Sequence, residues 1–592
     1  FVNIKVDREE RPDIDQVFMS ALQAMGEHGG WPLTMFLTPE GQPFWGGTYF
    51  PPEPRWGKPS FRQVLAAIAD AWQREPGKVA QNARELTAHL AALGRAEPGR
   101  LPGAEALGQI AASLMAAQDP VEGGFRGAPK FANPPLMRFL WQDSFRSGRT
   151  GQRDAVRLLL LRMSMGGIYD HLGGGFSRYA TDEHWLVPHF EKMLYDNAQL
   201  LELLALVHAE APDPLFAARA HETVGWLERE MRTGNGPGAA FAASQDADSD
   251  GVEGKFYIWD RAEIEEVLGA AAAEFGAAYD VTEAGNWEGR TILHRMVPMG
   301  AEAFEARLAD ARARLFAVRA RRVPPARDDK VLADWNGLAV AALARASSVF
   351  GEPGWLSLAA GVFDFVLGAM GQADGRIAHA WRRGRISAAG LLEDQAAMAR
   401  AALALYEATG ERRRLDAALR IIAATESHFA GPEGACYGSA EDALDLPVGG
   451  AARALLADDH AVPSGNGMLA EVFARLFHLT AEDQWRVKAE RLIGAFTGRA
   501  GAMVQSPGLL GAADLLAGGA SVVVAGTYPA LAAVARRAPD PALVVLEVGA
   551  SAAVPARHPA AGKLAGATVC RGGACSLPVT EAAALAVLLH RT

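Results

Sequence analysis

Titratable and aromatic side chains are concentrated in one glycine-rich segment of the chain, residues 166–204. Its sequence is GGIYDHLGGGFSRYATDEHWLVPHFEKMLYDNAQLLELL. Carboxylates, histidines and a phenol this close together can supply general acid–base catalysis on a sugar. A hydrogen-bonded network that only ties inner helices together is the alternative. The candidate catalytic residues here are His171, His189, Glu191 and Tyr195, and the candidate substrate-binding residues are Arg178, Tyr179, Trp185 and Asp196.

Acidic residues crowd a second segment, ASQDADSDGVEGKFYIW, at positions 243–259. The spacing D-x-D-x-D-G is typical of a calcium loop, but no acid stands where an EF-hand needs its bidentate glutamate. We therefore favour a pair of carboxylates at the mouth of a barrel over a metal site. Asp246 and Asp248 are the candidate catalytic residues of this segment.

A third polar segment, DDKVLADWNGL at 328–338, leads into a predicted helix. Asp334 can cap that helix and is a further candidate catalytic carboxylate. We expect Lys330, Trp335 and Asn336 to bind substrate. A tryptophan suits a sugar because its apolar face stacks on the C–H groups of the ring. Core packing is the alternative for Trp335.

A fourth polar segment, DDHAVPSGNG at 458–467, also enters a helix, with Ser464 as its expected cap. Asp459 and Asn466 are its candidate substrate-binding residues. Segments 123–134, 285–294 and 391–398 (LLEDQAAM) have a similar composition. Together these loops predict one end of a helical barrel lined with acids, amides and aromatic residues.

Helical periodicity dominates the chain from Ala104 to about Gly498 and indicates the elements that would position these loops. About twelve helices come in consecutive pairs separated by long polar loops, which is typical of a two-layered toroid. The competing interpretation is a helical solenoid, but the chain has no fixed short repeat. The predicted helices span 104–118, 135–147, 152–169, 193–210, 214–232, 301–320, 335–350, 354–370, 390–409, 412–429, 464–479 and 482–498.

The two ends of the chain have a different character. Near the start, a strand at Val2–Asp7, a helix, the Trp31-Pro32 bond, a hairpin and a second helix follow the order of the second half of a thioredoxin fold. From Ala520 the pattern predicts a small β-α-β unit. We therefore expect a partial thioredoxin-like domain at 1–85, a helical barrel at 86–505 and an α/β segment at 506–592.

Composition limits the class of function. The chain has 592 residues, a net charge of −11 and a sequence pI near 5.8, which argues against nucleic acid as a partner. No apolar run approaches the roughly 20 residues of a membrane helix. Three cysteines are too few for a disulfide framework, so a cytoplasmic location is expected. Because the sequence begins inside an apparent strand without Met, we interpret it as a fragment whose leader is not observable.

Cys570 and Cys575 lie in CRGGAC, a spacing that does not match a zinc site. Either a disulfide between them or two structural thiols would be consistent with this spacing. No metal or cofactor is expected anywhere in the chain, and the oligomeric state stays open.

The long motifs FVNIKVDREERPDID, HGGWPLTMFLTPEGQPFWGGTYFPP and CRGGACSLPVT, with the segments described above, resemble a family of thioredoxin-domain proteins. That family includes the mammalian spermatogenesis-associated thioredoxin-like protein and its bacterial homologues. The resemblance implies a thioredoxin-like domain followed by an (α/α)6 barrel similar to N-acylglucosamine 2-epimerases and six-hairpin glycosidases. The family's cysteine-containing redox motif would lie upstream of Phe1.

Three hypotheses follow. The first is a carbohydrate enzyme, either a glycosidase with two carboxyls or an epimerase with two opposed bases, most simply His171 and His189. The alternative is a thiol redox or quality-control protein in the intact parent, with the barrel as a binding module. A catalytically silent scaffold that keeps a sugar-like pocket is the third.

Overall fold

The computed structural model describes residues 1–234, 239–443, 445–446, 453–498, 503–549, 554–562 and 565–590. The N-terminal part contains one antiparallel hairpin packed on helices, and Ser60 caps its second helix in a reciprocal capping box with Gln63. The Trp31–Pro32 peptide bond is cis. The elements are α1 (Pro12–Ala24), β1 (Thr34–Leu37), β2 (Pro43–Gly47), α2 (Phe61–Arg74) and α3 (Pro76–Ala92).

The strand predicted at Val2–Asp7 is wrong. Residues 1–7 belong to no strand of the described chain, and their apolar side chains are exposed, with Val2 at 91%. A β-branched alternating pattern makes a strand only when a neighbouring strand pairs with it.

Fifteen α-helices follow in the described part of the chain between residues 104 and 518. In chain order they are α4 (Ala104–Ala116), α5 (Pro134–Ser147), α6 (Gly151–Met165), α7 (Leu194–Glu210), α8 (Pro214–Trp226), α9 (Arg261–Leu268), α10 (Ala272–Tyr279), α11 (Glu302–Arg319), α12 (Ala333–Phe350), α13 (Pro353–Met370), α14 (Leu392–Thr409), α15 (Arg412–His428), α16 (Gly465–Thr480), α17 (Asp483–Gly494) and α18 (Pro507–Gly518). A π-helical turn, Leu227–Met231, extends α8.

Twelve of these helices form a closed (α/α)6 barrel. The inner ring packs in the order α5, α7, α12, α14, α16, α18 and back to α5. The outer layer consists of α4, α6, α8, α13, α15 and α17, each beside the inner helices that neighbour it in the chain. The inner helices α7 and α12 are buried over most of their length, as expected of helices covered on all sides.

One helix prediction needs correction, and helices α9, α10 and α18 were not predicted. The helix expected at 301–320 is α11, which lies with α9 and α10 in an insertion that has its own apolar cluster. Helix α18, which closes the ring, lies beyond the boundary we expected at residue 505 and was missed. Its sequence, PGLLGAADLLAG, is short and has little of the polar face by which an amphipathic helix is recognised. The division of the chain into three domains otherwise stays a prediction.

Helix α13 is, among the described residues, the one helix whose length and apolar composition would let it cross a membrane. It belongs to the outer layer and packs against α12 and α14. Its buried residues, which include Trp355, Val362 and Val366, account for part of this apolar character.

Short strands link the loops at one end of the barrel. They are β3 (Lys130–Phe131), β4 (Tyr179–Ala180), β5 (Pro188–His189), β6 (Lys192–Met193), β7 (Ser244–Gln245), β8 (Asp248–Ser249), β9 (Val252–Glu253), β10 (Arg327–Asp328), β11 (Val331–Leu332), β12 (Ala380–Arg382) and β13 (Arg385–Ala388). They pair as β3-β4-β5, β10-β7-β6, β11-β12-β13 and β8-β9. Because several pairs join loops that are far apart in sequence, these sheets hold the loops together over one mouth.

The C-terminal part is a four-stranded sheet with the order β15-β14-β16-β17. Strands β14 and β15 are parallel and are joined through α19, which confirms the predicted β-α-β order. Cys570 and Cys575 form a disulfide across β16 and β17. The elements are β14 (Ala520–Ala525), α19 (Pro529–Arg536), β15 (Leu543–Val548), β16 (Gly566–Arg571), β17 (Ala574–Cys575) and α20 (Ala582–Leu589).

Four inner helices hold the preceding loop in the same way, through an amide side chain in their first turn. The Asn336 side chain accepts a hydrogen bond from the Phe241 N–H at 2.9 Å and donates to the carbonyls of Phe241 and Leu332 at 3.1 and 2.9 Å. Asn197 makes the same set of three bonds, and Gln395 makes them through its longer side chain. Asn466 likewise bonds both backbone groups of Cys436, but its third bond is to the Leu456 carbonyl in the loop before α16. We call these four residues the amide clamps.

Replacing Asn336 with alanine is expected to lower the free energy of unfolding by about 2–3 kcal/mol, because three hydrogen bonds are lost and buried backbone groups are left unpaired. Urea denaturation measures this loss. Asn82→Ala, on the exposed face of α3, is the matched control and is expected to change stability by less than about 0.5 kcal/mol. Equal effects of the two variants would contradict a clamping role.

Candidate functional site

A cavity of about 220 Å³ lies at the mouth of the barrel, where the first turns of the inner helices meet helix α1. We call it the mouth cavity. From the barrel it is lined by Tyr195, Asp334 and Trp335 and by the loop before α16. From the N-terminal part it is covered by residues between Arg8 and Ser20. The site is therefore built jointly by the barrel and the N-terminal domain.

Three buried side chains form an acid–base group at one wall of the mouth cavity. The His379 Nδ1 atom donates to the two oxygens of Asp394 at 2.9 and 3.1 Å, and its Nε2 atom donates to the Glu9 carbonyl at 2.7 Å. The Asp334 N–H donates to Asp394 at 3.1 Å. With both ring nitrogens acting as donors, His379 is an imidazolium.

The pKa values follow from burial and from these partners. Burial and the neighbouring charge of Asp394 raise the pKa of Asp334 to about 7. Burial alone would lower the pKa of His379, but the Asp394 carboxylate outweighs it and raises that pKa to about 10. At neutral pH the group therefore holds one firmly bound proton on His379 and one exchangeable proton on Asp334.

Metal binding is the other chemistry that this group suggests, since ligand atoms of Asp334, His379 and Asp394 lie within 4.8 Å of one another. However, both nitrogens of His379 already donate hydrogen bonds, and a metal ligand must offer a free lone pair. These three side chains are therefore better suited to hold and exchange protons than to coordinate a metal ion.

Ion pairs fasten the N-terminal segment over the mouth cavity. The buried Lys330 ammonium lies 2.8 Å from Asp7, 3.1 Å from Glu9 and 3.0 Å from Asp328. The Glu9 carbonyl accepts from His379, as described above. Lys330, which we expected to bind substrate, instead joins the two domains.

Two aromatic rings form an apolar wall in this polar cavity. Tyr195 and Trp335 contact each other edge to face, with ring centroids 4.7 Å apart. Both are nearly buried and both border the cavity. Together with Asp334, they are the sequence-predicted site residues that the structure brings together here.

A second group of predicted residues lies on the rim beside the mouth cavity and does not line it. The Arg178 guanidinium donates to Glu191 at 3.2 Å, and His189 pairs with Glu253 at 2.7 Å and stacks on the Tyr179 ring at 5.0 Å. Asp196 is buried close to this rim, and burial raises its pKa well above the usual range.

Four predicted site residues do not reach the mouth cavity, and their predicted roles there need correction: His171, Trp185, Asp246 and Asp248. His171 is buried between Gly166 and Arg219, and burial and the Arg219 charge hold its pKa well below the usual range. It cannot act as the base opposite His189. Trp185 is a fully buried core residue. Asp246 and Asp248 are exposed around the β8–β9 hairpin.

Three further predicted binding residues have structural partners. Asn336 and Asn466 are amide clamps. Asp459 accepts from the Ser464 N–H and hydroxyl at 2.8 and 2.7 Å and from the Gly508 N–H at 2.5 Å, so it ties α16 to α18. These polar residues at helix entries therefore hold loops to helices in the structure, and their predicted role in binding stays a prediction.

Five residues that complete the site are not predicted from the sequence: Glu9, His379, Glu393, Asp394 and Asp458. Glu393 and Asp394 belong to the polar segment 391–398, whose composition alone does not single them out. His379 lies in IAHAW, where a single histidine among apolar residues gives no signal by itself. Only the fold brings it to Asp394.

Below the mouth cavity the barrel axis is filled by buried ion pairs. Glu202 accepts from Arg400 at 2.8 and 2.9 Å and from Arg138 at 3.2 Å. Glu471 accepts from Arg138, Arg400 and Arg475 at 2.7, 3.3 and 3.0 Å. These pairs join α5, α7, α14 and α16 across the barrel.

Comparisons with known proteins show which family the chain belongs to. Residues 1–91 match a family model described as Thioredox_DsbH, a protein of unknown function (DUF255). Spermatogenesis-associated protein 20 of Rattus norvegicus is 34% identical over 553 residues, which cover 84% of this chain and 69% of that protein. The Homo sapiens protein is 33% identical, with 84% and 70% covered.

Solved structures with a similar outline include the cellobiose 2-epimerase from Bacillus thermoamylovorans B4167, with a TM-score of 0.41, 10% identity and coverage of 66% of this chain and 85% of that one. An inactive α-1,6-mannanase variant of Salegentibacter sp. HEL1_6, in complex with α-1,6-mannotriose, has a TM-score of 0.42, 11% identity and coverage of 70% and 99%. In this chain a thioredoxin-like domain precedes an (α/α)6 barrel. On sequence identity and coverage, the chain belongs to the family of spermatogenesis-associated protein 20.

Proposed function

We propose that the mouth cavity binds a neutral sugar of about one ring and that Asp334 transfers a proton to or from it. The observation that carries this proposal is the position of a carboxyl with a pKa raised to about 7 beside the Tyr195 and Trp335 rings. A group whose pKa lies near the working pH can both donate and accept a proton. The aromatic wall supports the C–H face of a sugar ring, and the carboxyls are suited to its hydroxyls.

Size and charge narrow the ligand class. The volume of about 220 Å³ is below the roughly 300–1,000 Å³ of pockets for drug-sized ligands, so it suits one small ring. Acidic residues outnumber cations in the lining, with Glu9, Asp13, Glu393 and Asp458 besides Asp334. An anionic ligand such as a sugar phosphate would therefore be repelled.

Hydrolysis and epimerisation are both compatible with this arrangement. Hydrolysis needs a second carboxyl across the sugar, and Glu393 or Asp458 supplies one from the same cavity. Epimerisation needs a base on the opposite face. A thiol redox function of an intact parent chain and a cytoplasmic location stay predictions from the sequence.

The test is a panel of neutral mono- and disaccharides, screened by thermal shift and then by calorimetry and product analysis. We expect at least one neutral sugar to bind the wild-type chain. Tyr195→Phe removes only the phenol hydroxyl and keeps the ring of the apolar wall, so it is expected to bind the sugar within a few-fold of the wild type. Asp334→Asn is expected to retain binding and to lose turnover by about 10²–10⁴-fold.

Trp56→Ala is the matched control, because Trp56 is 73% exposed in the N-terminal domain and borders no described cavity. It is expected to bind and turn over like the wild type. Binding of no neutral sugar, or turnover that survives in Asp334→Asn, would overturn the proposal.

A further inference from the structure

A second cavity, of about 70 Å³, lies where the far part of the barrel meets the C-terminal sheet. We call it the lower cavity. Arg345 lies eleven residues after Asp334 on α12, so the two cavities are about 16 Å apart along that helix. Inner helices α7, α12, α14 and α16 supply one side of its wall, and α19 and β15 supply the other. The lower cavity is independent of the sugar site proposed above.

The wall of the lower cavity is highly charged. Its cations are Arg345, Arg400, Arg475 and Arg536, and its acids are Glu202, Glu407 and Asp540. Within the lining the guanidinium groups outnumber the carboxylates by one, and Glu471 and Glu547, which lie outside the lining, also pair with three of these arginines. Charges at a domain interface are stable only where each is paired or bound to a counter-ion.

Three of the four arginines have assigned partners. Arg400 donates to Glu202 at 2.8 Å, and Arg475 donates to Glu407 at 2.9 Å and to the Pro541 carbonyl at 2.9 Å. Arg536 pairs with Glu547 and donates to the Glu407 carbonyl at 3.0 Å. These contacts also fasten the C-terminal sheet to the barrel.

Arg345 differs from the other three arginines. No acceptor or carboxylate among the described residues lies within hydrogen-bonding or ion-pair distance of its guanidinium group. Burial lowers its pKa, and the charges of Arg475 and Arg138 act in the same direction against the attraction of Glu202. A partly buried guanidinium has five N–H donors, and here they face a cavity that no protein acceptor fills.

We propose that the lower cavity binds a small oxyanion of the size of inorganic phosphate, with Arg345 as its main ligand. At about 70 Å³ the lower cavity is much smaller than the mouth cavity of about 220 Å³, which favours a small tetrahedral anion over a sugar ring. A planar guanidinium fork matches two oxygens of such an anion. Because Arg345 belongs to α12 and Arg536 to α19, the anion joins the barrel to the C-terminal unit.

The experiment compares thermal unfolding in phosphate and in chloride at equal ionic strength and pH 7, with the full chain. About 10 mM phosphate is expected to raise the Tm of the wild type by about 1–3 °C. Arg345→Gln is expected to lose this rise and to weaken phosphate binding at least tenfold in calorimetry. Arg321→Gln, which removes an exposed arginine outside the cavity, is expected to keep both.

In chloride, Arg345→Gln is expected to unfold at the same temperature as the wild type or slightly above it, because it removes a cation without a partner. A phosphate rise that persists in Arg345→Gln would place the anion elsewhere and overturn the proposal. The absence of any rise in the wild type would show that water alone fills the cavity, and would overturn it equally.

Discussion

Replacing Glu471 with glutamine is expected to lower the free energy of unfolding by about 3–5 kcal/mol. The Glu471 carboxylate accepts from three arginines on three inner helices, and all four groups are largely buried. An amide can neutralise none of their charges. Three guanidinium groups would then lie close together without the carboxylate that now separates them. Urea denaturation followed by tryptophan fluorescence measures the loss.

Glu490→Gln on the outer helix α17 is the matched control, since Glu490 pairs with Arg486 at 2.6 Å near solvent. Surface pairs of this kind contribute roughly 0.2–1 kcal/mol. Similar losses for the two variants would show that the buried network is not what stabilises the inner ring.

The same network predicts acid sensitivity. Although burial raises the pKa of a carboxyl, the arginines lower the pKa of Glu202 to about 2 and hold that of Glu471 well below its usual range. A lowered folded-state pKa contributes stability that is present above the unfolded value of 4.5 and is lost as the pH falls. The wild type is therefore expected to lose stability between about pH 4.5 and pH 2, and Glu471→Gln is expected to lose less over that range.

Asp334→Asn is expected to be more stable than the wild type at pH 8, by up to about 4 kcal/mol. The pKa of Asp334 is about 7 in the folded chain and 3.8 in the unfolded one. Between these two pKa values the folded chain binds one proton more than the unfolded chain. The free energy of unfolding therefore falls as the pH rises from about 4 to 7. Each pKa unit corresponds to about 1.36 kcal/mol, so burying the ionised carboxylate costs up to about 4 kcal/mol. Asparagine cannot ionise and therefore avoids this cost.

The measurement is urea denaturation of both proteins at several pH values between 4 and 8. The groups that face Asp334 are Asp394, His379 and Glu393, and all three are unchanged in the variant. The stability difference is expected to shrink towards pH 4. Asp310→Asn, at an exposed position of α11, is expected to show no such trend. A difference that does not vary with pH would contradict the raised pKa.

If Asp334→Asn both gains stability at pH 8 and loses turnover, the protein keeps at the mouth cavity a carboxyl that makes the folded chain less stable. Such a residue is expected where function requires it, because a substitution that stabilises the fold would otherwise be accepted easily. The gain in stability and the loss of turnover in Asp334→Asn would then both result from the removal of the one titratable proton of Asp334.

The sequence located most helices within a few residues, because the inner and outer helices carry long apolar patterns. It missed α18 because that helix lacks a polar face, and it misplaced residues 1–7 because strand formation depends on a partner. For the site, Asp334, Trp335 and Tyr195 could be predicted from their polar segments. His379 and Asp394 could not, since their pairing depends on β12 and α14 meeting at the mouth.

Polar residues at helix entries were also overinterpreted as ligands. Asn336, Asn466 and Asp459 look like binding residues in the sequence, yet their side chains hold backbone. The two asparagines bond the hairpins before their helices, and Asp459 bonds N–H groups at the starts of α16 and α18. The four amide residues share one role at four entries, and that shared role could be recognised only after the loops were placed.

The amide clamps have a consequence for how this barrel tolerates change. Each one fixes the start of an inner helix to the hairpin before it, and most of the remaining loop is left outside that junction. The long excursion that carries α9, α10 and α11 begins after Phe241 and returns before Asn336, so its length does not disturb the ring. Segments inserted between such clamped positions are therefore expected to change which ligand the barrel binds without changing the packing of its helices.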